Sequence, residues 1–305
     1  NLPYIFGIRA WGTTINEANN SNSILEGNYF VEGVDILNNT ITALGRIDAG
    51  ISGKLMNDSK IYNNIVDFSN SKGNENSRGI YLRQSNNNTI ENNTCHQING
   101  TGGNGIHLSA SDKNIIKTNT ITDCTGNGIS LNTYSNENQI IGGNVLGNSV
   151  NGISLNSSSA NTVKNISDVK GNGNYGIIIS NSSSSNKVIG VKVDSNKKSG
   201  IAVSGSSSSN TLTNNVSKNN GGNGVLIYNS ANNIVSSSSF SANKNYGLTI
   251  SGNSRSNKAT LCNSNNNKKG QAVITGKSSN NNVDVIKTDN KAKGTLPSIP
   301  QGVKL

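Results

Sequence analysis

The sequence has few of the residues that build a conventional globular core. Hydrophobic residues make up 31% of its 305 positions and aromatic residues 4%, and there are three prolines and one tryptophan. No apolar run approaches the roughly 18 residues that a membrane-spanning helix requires, which argues against a membrane span. A chain this rich in Asn and Ser would stay disordered if its apolar residues were scattered, because it could not bury enough of them. Their regular spacing predicts a folded chain instead.

Cysteine and histidine are too few and too widely spaced for a metal site. The three cysteines, Cys95, Cys124 and Cys262, are an odd number without ligand spacing. Neither His96 nor His107 has other Cys, His or carboxylate residues at ligand spacing. We therefore expect the cysteines to be buried, unpaired thiols, and the sequence predicts no metal and no cofactor.

One short phrase returns nine times between Gly79 and Val273, as a glycine that is followed by mostly apolar residues at positions +1 and +3. The steps between successive glycines are 26, 23, 24, 24, 24, 24, 23 and 23 residues. Such a fixed period is typical of a solenoid, in which each repeat stacks on its neighbours. The phrases are Gly79-Ile80-Tyr81-Leu82, Gly105-Ile106-His107-Leu108, Gly128-Ile129-Ser130-Leu131, Gly152-Ile153-Ser154-Leu155, Gly176-Ile177-Ile178-Ile179, Gly200-Ile201-Ala202-Val203, Gly224-Val225-Leu226-Ile227, Gly247-Leu248-Thr249-Ile250 and Gly270-Gln271-Ala272-Val273.

Within each repeat the apolar period is two, which is typical of a strand with one buried face. A second strand opens on an asparagine about ten residues later. We expect the glycines and asparagines to lie where the chain turns, because both tolerate left-handed backbone angles. Two or three strands per repeat leave no room for a helix, so the sequence predicts an all-β parallel β-helix of about eleven coils. The asparagines are Asn88, Asn114, Asn138, Asn161, Asn186, Asn210 and Asn232.

These phrases resemble the repeat of a known superfamily. Gly-Ile-x-Leu, followed by Ser-Ser-x-Asn-x-Ile and Asn-Asn, is similar to the right-handed parallel β-helix repeat of the pectate-lyase-like superfamily, in its NosD-like and mannuronan-epimerase-like branches. The resemblance covers roughly residues 24–286. It rests on residues that build the coil, so it implies the fold more directly than the function.

The sequence departs from the enzymes of this superfamily at the residues that carry their chemistry. The Asp-Pro-His phrase of mannuronan epimerases is missing. The clustered outward aspartates of calcium-dependent pectate lyases are reduced to Asp35 and Asp48, and the paired aspartates of the β-helical glycoside hydrolases do not stand out. An assignment to any one of these reactions is therefore not supported by motif.

The pattern divides the chain into three segments. Residues 1–22 break it and are predicted to be a cap or an irregular first coil, because an open β-helix end exposes unpaired strand edges. Residues 23–287 are predicted to form the β-helix, and residues 288–305 a C-terminal tail. The sequence begins at Asn1, so we expect a mature or excised fragment from which any signal peptide has gone.

The net charge of +10 is unevenly distributed. Between Ser195 and Val283 every charged residue is basic, and a basic face attracts polyanions. Nucleic acid is disfavoured because these lysines are not interleaved with stacking aromatic residues. An acidic polysaccharide suits a long repetitive face better, and solubility alone is the alternative reason for the charge. The nine basic residues are Lys197, Lys198, Lys218, Lys244, Arg255, Lys258, Lys268, Lys269 and Lys277.

Outward positions +2 and +4 of the first strand form stripes along the rod, and unusual side chains gather at one end of them. Arg78, Tyr81 and Arg83 lie on one coil, and His107 lies about 4.8 Å along the axis on the next. The two longest coils, with loops at 69–78 and 99–104, fall at the same level. Proton abstraction next to a carboxylate needs a base, an acid and a cation. The sequence predicts one exposed groove that contains Arg78, Tyr81, Arg83 and His107. The resemblance to lyases and epimerases implies that His107 or Tyr81 transfers protons there and that Arg83 holds the carboxylate; ordinary surface residues are the alternative.

Two functions from different classes stay open. The first is a secreted or cell-surface protein, monomer or homotrimer, that binds an acidic polysaccharide and acts on it as a lyase or epimerase. The second is a non-catalytic structural or adhesive rod, such as a surface-layer, filament or phage tail-spike component. The irregular coils before Gly105 favour an enzyme, and the uniform columns after it favour a rod. Substrate binding is assigned to Arg78, Tyr228, Lys197, Lys218 and Lys244.

Overall fold

Three parallel β-sheets run along one solenoid. A computed structural model describes residues 6–11, 30–71, 76–283 and 286–287 of the chain. Each coil gives one short strand to each sheet, and each strand pairs in parallel with its equivalents on the coils before and after it. Within these ranges there is no helix, and so no helix that could cross a membrane. The predicted tail at 288–305 and most of the segment 1–22 lie outside the described residues.

The first sheet contains the glycine phrases. Its strands stack in the order in which they occur along the chain. They are β1 (Phe6–Trp11), β5 (Ala49–Lys54), β9 (Arg78–Arg83), β12 (Asn104–Ser109), β15 (Ile129–Asn132), β18 (Ile153–Asn156), β21 (Ile177–Ser180), β24 (Ile201–Val203), β27 (Val225–Tyr228), β30 (Tyr246–Ser251) and β33 (Gly270–Ile274).

The second and third sheets also have eleven strands each, and a short pair lies beside them. The second sheet comprises β3 (Asp35–Leu37), β7 (Lys60–Tyr62), β10 (Thr89–Glu91), β13 (Ile115–Lys117), β16 (Gln139–Ile141), β19 (Thr162–Lys164), β22 (Lys187–Ile189), β25 (Thr211–Thr213), β28 (Ile234–Ser236), β31 (Lys258–Thr260) and β34 (Asn282–Val283). The third comprises β4 (Thr40–Thr42), β8 (Ile65–Asp67), β11 (Thr94–His96), β14 (Thr120–Thr122), β17 (Asn144–Leu146), β20 (Asp168–Lys170), β23 (Lys192–Asp194), β26 (Val216–Lys218), β29 (Ser239–Ser241), β32 (Cys262–Asn265) and β35 (Ile286–Lys287). The pair is β2 (Val31–Glu32) with β6 (Met56–Asn57).

The core is a set of apolar columns, as the period of two predicts. Positions +1 and +3 of the first sheet are stacked in register from β9 to β21. Every side chain predicted for this stack is at most 3% exposed, which confirms it. The middle residue of each short strand in the other two sheets points inward as well, for example Ile90 and Ile121.

The repeat glycines are required for space rather than for a turn. None of those from Gly79 to Gly247 has a left-handed backbone, so that part of our expectation was wrong. A Cβ on Gly79 would lie 2.5 Å from the carbonyl oxygen of Gly105 on the next coil and 2.8 Å from Sγ of Cys95. Any side chain here would therefore push neighbouring coils apart.

The asparagines that open the strands of the second sheet form one column, with hydrogen bonds that run from coil to coil. Asn186 is typical: its Oδ1 accepts from the backbone N–H and the side-chain amide of Asn161 at 2.9 and 3.1 Å, and its Nδ2 donates to Oδ1 of Asn210 at 3.1 Å. The left-handed angle falls on the residue before each ladder asparagine, so Asn232 makes the turn and Asn233 joins the ladder. The column comprises Asn88, Asn114, Asn138, Asn161, Asn186, Asn210, Asn233, Asn257 and Asn281.

Two phrases were placed wrongly by sequence. Leu248 pairs with Ala272 and Ile250 with Ile274, so Gln271 takes the glycine position of the last coil and Gly270 precedes it. The last +2 residue is then Val273, and the step from Gly247 becomes 24 residues. The phrase from Gly33, which reads Gly33-Val34-Asp35-Ile36 and so has the same apolar positions +1 and +3, belongs to the second sheet, which puts Asp35 away from the predicted site.

Candidate functional site: the outer face of the first sheet

The outer face of the first sheet is formed by three columns of side chains, at positions −1, +2 and +4 from the repeat glycine. Every charged residue in the strands of this sheet is basic, and all lie in its first three strands. From β12 to β33 these strands carry no charged residue other than the titratable His107. One end of an otherwise uncharged face is therefore basic. The four basic residues are Arg9, Lys54, Arg78 and Arg83.

Three of the predicted site residues contact one another at this end. Register places His107 beside Tyr81 on the neighbouring strand, with ring centroids 5.2 Å apart and ring planes at 57°. The guanidinium carbon of Arg78 lies 4.4 Å from the centre of the Tyr81 ring. Nε of Arg78 donates a hydrogen bond of 3.1 Å to Nδ1 of His107. The prediction that these side chains share one place on the rod agrees with this geometry.

His107 is buried, although the sequence predicts an exposed groove. It is 7% exposed, because the face is closely packed around the +2 column and the rings and guanidinium of its neighbours cover it. Since its Nδ1 accepts from Arg78, a neutral His107 carries its proton on Nε2. Among the described residues Nε2 has no hydrogen-bond partner. An unsatisfied buried donor costs roughly 1–3 kcal/mol. Because Nε2 has almost no accessible surface, an external acceptor reaches it only when the side chains that cover it move.

Burial, together with the positive charge of Arg78, lowers the pKa of His107 to about 4. The Asn132 side chain on the next coil opposes the shift, although it makes no hydrogen bond of normal geometry with Nε2. His107 is therefore neutral at pH 7. Burial also lowers the pKa of Arg78, while Tyr81 and Asp48 act in the opposite direction. Asp48 is therefore the acidic residue whose charge acts on Arg78. Its backbone carbonyl accepts a hydrogen bond of 2.9 Å from the backbone N–H of Arg78.

The other predicted site residues lie elsewhere on the surface. Arg83 is exposed at position +4, two residues beyond Tyr81. Tyr228 is 47% exposed in the same column, six strands further along the sheet. Lys197 and Lys244 are exposed on the corner that joins the third sheet to the first. Lys218 ends β26 and pairs with Asp194 at 3.7 Å, which partly neutralises it.

Sequence reasoning missed two basic residues of this face. Lys54 is in register with Arg83 in the +4 column, and Arg9 is in register with Ser52 in the +2 column. The signal was present in the phrase from Gly7, whose Ile8 pairs with Ile51, but it lies in the segment assigned to a cap or an irregular first coil. Position +3 of this phrase is Ala10, where other phrases have a larger apolar residue such as leucine, so the phrase is difficult to recognise in the sequence.

The two loops that were expected to wall the site contact each other. Nδ2 of Asn99 donates to the carbonyl oxygens of Phe68 and Ser71 at 2.9 and 3.1 Å. Asn104, which ends the second loop, is in register with Arg78. Residues 72–75 of the first loop lie outside the described residues, so the expectation that this loop forms a wall of the site stays a prediction.

The cysteines belong to the core. All three are buried and unpaired, as expected, and burial raises the pKa of Cys124 to about 12. Across the ranges that the structure describes, no group of three or more His, Cys, Asp or Glu side chains is placed to hold a metal ion.

Comparison with known proteins assigns the family. A profile described as a right handed beta helix region matches residues 8–165, 50–216 and 167–296, which together span most of the chain. The chain belongs to the right-handed β-helix family. A search of curated protein sequences finds no match to this β-helix.

Solved structures of other β-helices share the fold at low identity. The A-module of a mannuronan C-5 epimerase from Azotobacter vinelandii is 13% identical, with a TM-score of 0.62 over 95% of this chain and 90% of that one. The periplasmic alginate epimerase AlgG is 14% identical, with a TM-score of 0.51 over 79% of this chain and 60% of that one. The Dettilon tailspike protein is 11% identical, with a TM-score of 0.55 over 88% of this chain and 64% of that one. At these identities the likeness shows the fold alone.

Proposed function

We propose that this β-helix binds an acidic polysaccharide on the outer face of its first sheet, with a uronate carboxylate held by Arg78 and His107. One observation carries the proposal: the buried Nε2–H of His107 lacks an acceptor beside a partly buried guanidinium. A carboxylate oxygen is an acceptor that also carries the charge that this end of the sheet favours.

The donor set matches one carboxylate. Arg78 uses its Nε–H on His107, and its terminal NH2 groups provide further donors for a second acceptor. Hydrogen bonds to a charged group contribute roughly 1.5–3 kcal/mol each, more than neutral ones. Arg83 is exposed on the same strand as Arg78 and adds a second cation at this end of the face.

Lysines further along the rod also favour an anionic ligand. Lys197 and Lys244 stand on equivalent turns, two coils apart, in a stretch of the chain without acidic residues. A charged polymer laid along the rod would meet these two lysines about 10 Å apart, which is the length of two coils. Among the proteins of similar fold are epimerases named for mannuronan and alginate, which agrees with a polymer of this class. A surface or extracellular location would suit such a ligand and is part of the proposal.

A lyase or epimerase reaction is a second candidate function, and the contact between Tyr81 and Arg78 favours it. His107 is poorly placed as a base, because Nδ1 already accepts from Arg78 and Nε2 carries the proton. In this proposal His107 donates to the carboxylate, Tyr81 transfers the proton next to it, and Arg83 adds a second cation. This changes the role first proposed for His107 while keeping the same set of residues.

Binding is tested by calorimetry with oligomannuronate and oligogalacturonate. Arg78→Ala and His107→Ala should each weaken binding by about tenfold or more, since each removes a donor to a charged group. Arg255→Ala, an exposed arginine on a distant turn, changes the net charge equally and should leave affinity within about twofold. Equal affinities for the Arg78 and Arg255 variants would contradict the site.

Catalysis is tested separately on the same polymers. A lyase would produce the ultraviolet absorbance of unsaturated sugars, and an epimerase would exchange the C5 proton for deuterium in heavy water. Tyr81→Phe should abolish either signal while leaving binding close to wild type. Tight binding without either signal in the wild-type protein would reject the reaction and leave a binding rod.

A further inference from the structure

The outer face of the first sheet changes character beyond its polar middle. The +2 column becomes apolar at Ile178, Ala202 and Leu226, which stand in register on β21, β24 and β27. Tyrosines flank this stripe on both sides: Tyr175 and Tyr246 in the −1 column, and Tyr228 in the +4 column. Together these residues form an apolar strip, in which Ala202 is buried and the others are partly or largely exposed, here termed the tyrosine trough. The −1 placement follows from the carbonyls of Tyr175 and Tyr246, which accept from glycine N–H groups on the preceding coil.

The rings of Tyr228 and Tyr246 each lie against a glycine on the next coil. A Cβ on Gly252 would lie 3.0 Å from Cε2 of Tyr228, and one on Gly270 would lie 3.4 Å from Cε1 of Tyr246. The rings therefore lie against backbone that has no side chain to displace them. The Tyr175 ring has the Nζ of Lys198 at 5.4 Å from its centre. Rings supported in this way are pre-positioned for stacking, because their orientation is already fixed.

We infer that the tyrosine trough is a second sugar-binding site, which stacks pyranose rings of the polysaccharide held at Arg78 and His107. A tyrosine ring presents an apolar face that suits the C–H face of a sugar and a hydroxyl that suits its polar edge. Lys198 lies beside Tyr175 at the edge of the tyrosine trough, where its ammonium group can bind a carboxylate of the same polymer. This inference rests on the proposed function and extends it along the rod.

A sugar fits this surface better than a protein or a lipid. Hydroxyl and amide side chains alternate with the tyrosines in the same columns, at Ser199, Asn223 and Ser204. Tyr228 is the one large hydrophobic residue of the described outer face that is strongly exposed. The apolar area is therefore interrupted, whereas a stable protein interface needs a continuous patch.

The position of the trough predicts a dependence on chain length. Tyr175 is three coils beyond His107 and Tyr246 six coils, or about 14 and 29 Å at 4.8 Å per coil. An oligosaccharide shorter than about 14 Å could occupy one site only, while one longer than 29 Å could span both. Linking two sites through one ligand raises affinity by effective concentration.

The test uses short and long oligomannuronates with tyrosine variants, by calorimetry. Tyr228→Ala and Tyr246→Ala should each weaken the long oligomer by about 2- to 10-fold, as expected for loss of one aromatic contact, and leave a short oligomer that binds at Arg78 unchanged. The Phe variants should retain most of the affinity, because the ring face remains. Tyr134→Ala removes a tyrosine that is 73% exposed on a turn outside the columns and serves as the control.

The outcomes separate this inference from the proposed function. If Arg78→Ala weakens both oligomers while the trough variants behave like Tyr134→Ala, the trough is not a sugar site. If the trough variants instead change the sedimentation of the protein and not its affinity, the surface joins copies of this chain, and the inference is wrong. If Arg78→Ala has no effect, the proposed function fails whatever the tyrosines do.

Discussion

Replacing Asn186 by alanine tests whether the asparagine ladder or the apolar column holds the coils together. The side chain is fully buried and makes four hydrogen bonds to three residues. Its loss leaves the backbone N–H of Asn161 without an acceptor, because that N–H bonds to Oδ1 of Asn186 alone among the bonds of this turn. Nδ2 of Asn161 keeps the carbonyl of Ser135, and Oδ1 of Asn210 keeps the backbone N–H of residue 186.

The magnitude follows from these bonds. One orphaned buried donor costs roughly 1–3 kcal/mol, and each of the remaining bonds contributes roughly 0.5–1.5 kcal/mol net. We therefore expect Asn186→Ala to lower the free energy of unfolding by about 2.5–7.5 kcal/mol in a denaturant titration followed by circular dichroism. Asn263→Ala, at an exposed position of β32, should change it by less than about 0.5 kcal/mol. Equal effects of the two substitutions would refute the ladder as a source of stability.

Three further outcomes are expected. Ile153→Ala should destabilise by about 2–5 kcal/mol and Ile153→Val by about 0.5–1.5 kcal/mol in the same titration, since the side chain is fully buried; equal losses would contradict the column. The pKa of His107 drops from 6.5 to about 4 on folding, so the unfolded chain binds more protons than the folded chain between these two pH values. The free energy of unfolding should therefore fall by up to about 3 kcal/mol as the pH is lowered through this window. His107→Gln should remove that part of the pH dependence, and an unchanged profile would reject the assignment. The affinity for oligomannuronate should fall as salt is added, because charges are screened over about 10 Å at 0.1 M. The double variant Lys197→Ala with Lys244→Ala should show a weaker dependence of affinity on salt than Lys60→Ala does. An affinity that does not change with salt would reject the proposed role of the lysines in binding.

Features that repeat were predictable from the sequence, because a period averages over local exceptions. The buried columns and the asparagine ladder depend on the same position in nine coils, so one unusual residue does not hide them. The errors fall where a single coil departs from the pattern. Gln271 replaces a glycine in the last coil, and Ala10 replaces a leucine in the first, so each phrase was shifted or missed. The phrase from Gly33 imitates the glycine pattern from another sheet.

The site itself was predictable in position but not in chemistry. Sequence spacing brings Tyr81 and His107 together, because +2 residues of neighbouring coils must be adjacent in a parallel sheet. The reach of Arg78 is not encoded in that spacing, since it depends on which way a long side chain turns across the column. That one hydrogen bond fixes the tautomer of His107 and changes its proposed role from base to donor.

The fold explains why such a site can be built on two neighbouring coils without disturbing the rest. Positions +1 and +3 and the ladder asparagines hold each coil to its neighbours, and none of them contributes a side chain to the outer face. Positions −1, +2 and +4 are therefore free to vary along the rod at little cost in stability. Across the described strands they carry basic residues at one end, amides and hydroxyls in the middle and tyrosines beyond. A uniform adhesive rod does not need this gradient, whereas a protein that binds carboxylates of a polysaccharide at one end and its sugar rings further along, as proposed above, would use it.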